Sequence, residues 1–249
     1  MADLSKQTQD FKTAWFNLLS QYAVGEIEGG SISTSRFNLI GMVKVKINEV
    51  IPEGEGIQFA VQDLANTSDV IDIYINALLD DSAITLLQTA PLFKIIGKSH
   101  TGTATANPDG SGYIPLPTDF IRLQTLKLNG WQRELTHNDL ITPENPKYRL
   151  QGNPYTRGGK AKPVGVLTTI NNSGTITRVL EYYSLKEEET PVITKFIYVP
   201  VTVAENIQTN LQDALTWICA AKLLQIISKT NEPATEAWKQ VEIAFKNIR

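Results

Sequence analysis

Two histidines, one cysteine and a few paired carboxylates are the side chains in this sequence that could do chemistry. Metal binding and acid–base catalysis need such groups to converge, and the spacing here offers no convergence. His100 and His137 each sit in loop-like sequence with no cysteine nearby, so no pair has zinc-ligand spacing. A solvated or locally hydrogen-bonded imidazole is expected at both. Gly97-Lys98-Ser99 invites a phosphate-loop reading. That loop needs a glycine five residues before its Gly-Lys pair, and Leu92 stands there. Asp69 and Asp72 share a helix face, with Asp80-Asp81 further along, and caps and solvated faces account for them. Glu187-Glu188-Glu189 reads as a solvated turn, and no Gly-x-Ser-x-Gly elbow occurs. The expectation is a protein that is not an enzyme, with no catalytic residue, no metal and no cofactor.

The remaining polar cluster is basic. Arg157, Lys160 and Lys162 lie with Tyr155 in a Gly-rich stretch. Such a loop can touch DNA or an acidic partner, or it is a plain surface loop. The whole chain carries a net charge of −3, milder and of opposite sign to a dedicated DNA-binding domain. With 249 residues, 42% hydrophobic and 20% charged, it can bury a core without staples. Cys219 lies in an apolar helical run, where a lone cysteine acts as a small hydrophobe. The first ten residues lack a signal-peptide core, and no run has the length of a membrane span.

The elements that must carry these residues fall into blocks. Residues 5–23 form an amphipathic pattern with Phe11, Trp15, Leu18 and Tyr22 on one stripe. Gly25 and Gly29-Gly30 then make a flexible joint, so residues 1–30 are expected to be an interface arm on a body spanning 31–249. Helices are predicted over 36–50 (against a competing strand reading from Val43, Val45 and Ile47), 69–88, 204–228 and 233–248. Between about 93 and 200 the character is β. Hairpins are expected at 120–128 with 131–136, around Asn129-Gly130, and at 164–170 with 175–183, around Asn172-Ser173-Gly174. Residues 192–199 read as a last strand, and 139–163 as a long irregular connection. The fold class is α+β: a helical body from both ends of the chain with an inserted antiparallel β region projecting from it.

Two short elements stand out. Leu116-Pro117-Thr118-Asp119-Phe120-Ile121-Arg122 opens the β region, and Asn145-Pro146-Lys147-Tyr148-Arg149 precedes its later strands. With the Gly130 turn and the Ala-rich helix from Asp213 to Leu224, their order resembles the head–tail connector family of short-tailed double-stranded DNA phages. These are ring-forming adaptors, also called tail tubular proteins, and include ring proteins of crAss-like phages. The resemblance covers residues 36–249, and residues 1–30 have no counterpart. It implies a head–tail adaptor-like fold and a structural virion protein, assembled in the host cytoplasm and located at the head–tail junction or tail. A cyclic homo-oligomer of about twelve copies would sit below the portal and extend the DNA channel. Its partners would be its own copies, the portal or an adjacent ring, tail proteins, and DNA sliding through without sequence-specific binding, with no membrane. Another virion ring or tail hub, and a non-viral binding module, remain open on the residues alone.

Overall fold

A computed structural model of the chain describes residues 35–51, 70–153, 155–172, 174–183, 190–228 and 230–248. The predicted arm, with Phe11, Trp15, Leu18 and Tyr22, lies outside the described residues, as do the Asn66–Asp69 cap and Glu187–Glu189.

The helical layer begins at α1 (Arg36–Val50), whose Ser35 cap accepts the Asn38 N–H through its hydroxyl. Leu39, Val43 and Ile47 recur at helical spacing and are fully buried, so burial of one stripe selects helix over the competing strand. α2 (Val70–Thr89) runs antiparallel to it, as the cross-pairs Arg36–Asp80 and Lys44–Asp72 require. α4 (Gln212–Ile227) is buried on most sides, and α5 (Glu232–Asn247) closes the layer through Ala234, Ala237, Val241 and Ala244. α3 (Pro146–Leu150) is a short helix outside this layer.

Residues 204–208 do not join α4 as expected, and 209–211 enter it as a 3₁₀ turn. They form two 3₁₀ turns, Ala204–Asn206 and Thr209–Leu211, separated by an extended Gln208. Both turns are held by competing partners. The Ala204 N–H donates to Asp80 (3.1 Å). In the amide orientation that satisfies both atoms, Gln208 donates to the Lys94 carbonyl and accepts from the Ile96 N–H. Arg36 then reaches Asp80 (3.1 Å) and Glu205 (2.9 Å), tying this segment to α1 and α2.

Asp72 corrects the solvated-face expectation. It is buried, and its partner Lys44 is fully buried at 2.5 Å. A pair like this sets helix register, because a slip would strand both charges in an apolar layer.

Two sheets follow. The first contains β1 (Lys98–Ser99), β9 (Ile193–Pro200), β4 (Phe120–Leu128) and β5 (Leu135–Thr136), in that spatial order. The second contains β2 (Thr105–Ala106), β3 (Ser111–Pro115), β8 (Thr175–Tyr183), β7 (Val164–Asn172) and β6 (Leu140–Ile141). All pairings are antiparallel except β6 with β7, so the β region is mixed rather than wholly antiparallel. The first predicted hairpin survives only at its far end, where Leu126 and Thr125 face Leu135 and Thr136. The second forms in full, with Gly174 at φ +88° in its turn.

A second core lies between the sheets. Phe120, Leu123, Leu126, Leu128, Phe196 and Tyr198 come from the first sheet, and Ile114, Leu180 and Tyr182 from the second. The apolar spacing along β4 is three, three and two, which no regular strand can place on one face. Register shifts at Phe120/Arg122, Leu123/Thr125 and Lys127/Leu128 rephase the strand so that all four residues point inward. On the other side Ile121 and Val199 pack into the helical core, so the first sheet is a middle layer rather than a projection.

The Asp119–Arg122 run makes that junction. Tyr198 donates its hydroxyl to Asp119 (2.8 Å), and Lys98 pairs with the other carboxylate oxygen (2.9 Å). Phe120 stacks on Tyr198. Arg122 crosses to the helices and donates to the carbonyls of Leu87 (3.3 Å) and Ala90 (2.8 Å), at the C-terminus of α2. There a cation meets the negative end of the helix dipole. Gln124 donates to Leu92 and Ile95 just beyond.

Arg122→Ala is expected to lower unfolding free energy by about 2–3 kcal/mol, the worth of charge-assisted bonds left unmade. Denaturant unfolding measures it, and a loss under about 0.5 kcal/mol would show that the junction stands without the guanidinium. Lys44→Met alone should cost about 3–5 kcal/mol, and adding Asp72→Leu should recover most of it, because only the unpaired buried charge is expensive. Additive losses in that double-mutant cycle would contradict the pairing.

Candidate functional site

The basic stretch is built from α3 (Pro146–Leu150) and the loop behind it. Asn145 caps α3 by accepting the Lys147 N–H (3.0 Å), and Pro146 starts it where a missing N–H costs nothing. Tyr148 turns inward onto sheet two, edge-on to Tyr183 and within reach of Glu181 (3.4 Å). The Asn-Pro-x-Tyr-Arg element is therefore a capped helical plug over the outer face of that sheet. Burial, followed by the bond to Glu181, raises the Tyr183 hydroxyl well above its ordinary range, so it stays protonated.

Behind α3 the loop is stapled to itself. The buried Gln151 donates to the Lys147 carbonyl (2.9 Å) and accepts from the Gly158 N–H (2.8 Å). Gly158 lies so close to the Tyr183 carbonyl and Val164 that a Cβ would stand 2.6 Å from one and 2.9 Å from the other. Gly159 and Lys162 exchange backbone bonds around a tight turn.

The three candidate cations separate on this frame. Arg157 is mostly buried and pairs with Asp109 at 3.7 Å, tying the loop to the turn between β2 and β3. Lys160 is half-buried and lies over the Gly130 turn, and its carbonyl accepts from the Gln132 N–H (2.9 Å). Lys162 is exposed. Arg157 and Lys160 thus serve the fold as well as the surface. Two exposed cations that the cluster reading passed over, Lys147 and Arg149, stand on α3. Their signal was the helix start at Asn145-Pro146, which throws the following polar residues outward. Tyr155 is 96% exposed and Leu150 about half.

The remaining reactive groups are committed elsewhere. Lys98, Asp119 and Tyr198 form a bonded triplet, but the interactions keep each in its resting state. Asp119 holds the ammonium of Lys98 charged, burial and then Asp119 keep the Tyr198 hydroxyl protonated, and Lys98 holds Asp119 ionised. Gly97 is needed because a Cβ there would collide with Gln124 and Ile197. Lys98-Ser99 is a strand at the sheet edge, so no phosphate cradle forms. His100 packs edge-on to Phe196. His137 is half-buried, and desolvation, followed by Arg122, lowers its pKa. The Cys219 thiol is fully buried behind α2, and burial pushes it up to about 12. Among the described residues no group of three His, Cys, Asp or Glu side chains could hold a metal. No described helix is long and apolar enough to cross a membrane.

What the surface offers is contact area. Phe93 is 85% exposed and Ile96 77%, flanking the 3₁₀ turn Leu92–Lys94. Ile73 and Tyr74 are exposed on α2, and Ile176 is 74% exposed on β8. Apolar side chains this open occur singly over the described surface, as they do on ordinary globular proteins. A cleft of about 620 Å³ beside Val50 and Asn231–Glu236 is open, and its Glu236 is bonded to Lys239 and Gln240. No protein-family model matches the chain, and no curated protein matches it either.

Lys162→Gln is expected to leave the melting temperature unchanged, whereas Arg157→Gln should cost up to about 1 kcal/mol by releasing Asp109. Equal effects of the two in thermal unfolding would mean that the loop is not anchored through Arg157.

Proposed function

We propose that this chain is a structural virion protein. It forms a ring below the portal that joins head to tail and extends the DNA channel, and it catalyses nothing. The ring is a cyclic homo-oligomer of about twelve copies. One rim meets the portal or an adjacent ring, and the other meets tail proteins.

One observation carries the reading. Of the two connector-like elements, one lies at the junction between the helices and the first sheet, and the other braces the outer face of the second sheet. Leu116–Arg122 fastens the first sheet to the helices, and Asn145–Arg149 seals the outer face of the second. A ring subunit must keep a fixed angle between its two contact faces or the rotation per copy will not close. Fastenings of this kind supply that rigidity. A net charge of −3 suits a channel along which DNA slides. The exposed Lys147, Arg149 and Lys162 would give only weak, salt-sensitive contact with DNA or an acidic partner.

Cryo-electron microscopy of intact particles tests this directly. The expected map shows the chain as a closed ring on the axis of the head–tail junction or tail. Isolated single copies, or placement away from the axis, would overturn it.

A further inference from the structure

The hairpin of β7 and β8 is longer than the sheet it belongs to. On one side β6 pairs with β7 only at Gly165 and Val166, because the chain then turns away at Thr142-Pro143. On the other side β3 stops at Pro115 opposite Val179, with one further bond from the Leu116 N–H to the Arg178 carbonyl (3.0 Å). Beyond these points Thr168–Asn172 and Thr175–Arg178 form a two-stranded ribbon with no described strand on either side.

That ribbon carries none of the devices that keep edges apart. Its register is regular from Thr168 to Asn172, with no bulge. Six of its nine residues are β-branched (Thr168, Thr169, Ile170, Thr175, Ile176 and Thr177), and it has no proline, lysine or acid. Arg178, at its base, is its one charge. A two-stranded ribbon is marginal in water, and unpaired strand edges invite further pairing.

The direction of its free groups can be worked out. The Arg178 carbonyl faces outward, toward Leu116. In an antiparallel pair, outward and inward residues alternate along each strand. Ile176 therefore also presents its N–H and C=O to the outer edge of β8. Across the ladder their partners, Asn171 opposite Ile176 and Thr169 opposite Arg178, do the same on the outer edge of β7. Among the described residues the ribbon thus has two open edges of opposite hand.

We infer that the ribbon pairs with the ribbons of neighbouring copies of this chain, β7 of one copy against β8 of the next. This rests on the ring reading above. Cyclic symmetry points every ribbon the same way, so β7 meets the neighbour's β8 antiparallel. Both open edges of every copy are then used, and the ribbons close into one continuous cylinder with no edge left over. A two-fold β7-to-β7 pairing would leave β8 open and would not propagate.

The test combines a map with edge-directed variants of the full chain. The N–H groups of Ile176 and Thr169 face away from their hairpin partners, so proline at either position removes an outer donor without breaking a ribbon bond. Ile176→Pro and Thr169→Pro should keep the melting temperature and circular dichroism of the parent yet lower ring occupancy in particles at least about tenfold. Ile176→Thr, which keeps the N–H, should assemble normally. In the map of the parent ring, neighbouring ribbons should lie at strand spacing, about 4.8 Å. A ring whose ribbons stand apart, pair β7 to β7, or pair with a different protein would overturn this inference and leave the ring reading intact. Normal assembly of both proline variants would do the same. A map without any ring would remove the reading itself, and this inference with it.

Discussion

Arg122 sits where two incompatible kinds of backbone meet. An α-helix ends with carbonyls that have no partner, and a β-strand carries its side chains out of its own plane. At the end of α2 the carbonyls of Leu87 and Ala90 point toward the first sheet, and the guanidinium of Arg122 fills that gap from β4. Removing the helix end from water without this donor would leave buried carbonyls unsatisfied. The residues around it all serve to aim that side chain. Phe120 is locked on Tyr198, Asp119 is held by Tyr198 and Lys98, and the register shift between Phe120 and Arg122 turns Arg122 toward the helices while Phe120 faces the second core.

The helical layer is fixed by charge in the same way. Lys44 with Asp72 and Arg36 with Asp80 and Glu205 cross between α1, α2 and the segment leading into α4. Apolar stripes alone would let these helices slide by a turn, since Leu39, Val43 and Ile47 are similar in size. A paired charge tolerates no such slip. The helices are therefore joined to one another and to the middle sheet by directed polar contacts, whereas apolar burial joins the middle sheet to the second.

Much of this could be read from residue order. The stripe of α1 and the glycine turn of the β7–β8 hairpin each obey a local rule, and each element lies where that rule places it, whereas the stretch read as an irregular connection over 139–163 holds β6 and the Asn145-capped α3. Other features lay beyond any local rule. Phe120, Leu123, Leu126 and Leu128 look irregular until the bulges against β9 are known, and those depend on a partner some seventy residues away. Asp72 carries nothing in its own neighbourhood to mark it as buried, because its partner is on another helix. Residues 204–208 have helical composition, yet Asp80 and the Lys94–Ile96 backbone compete for them and win. Among the candidate site residues, the cluster at 157–162 was visible as composition. Its division into the anchored Arg157, the half-buried Lys160 and the free-standing Lys162 depends on Asp109 and Gly130, which are distant in sequence.

Cys219 has a practical consequence. It is the sole thiol in the chain, it lies in the middle of the helical layer, and burial keeps it protonated at any ordinary pH. An alkylating reagent needs a thiolate that it can reach, so the native fold is chemically blank toward such reagents. The same thiol becomes reactive once α4 separates from α2. The molecule therefore contains its own reporter of opening. Its labelling rate measures how often the helical layer comes apart, and a cysteine introduced anywhere on the surface can be tagged without first removing the natural one.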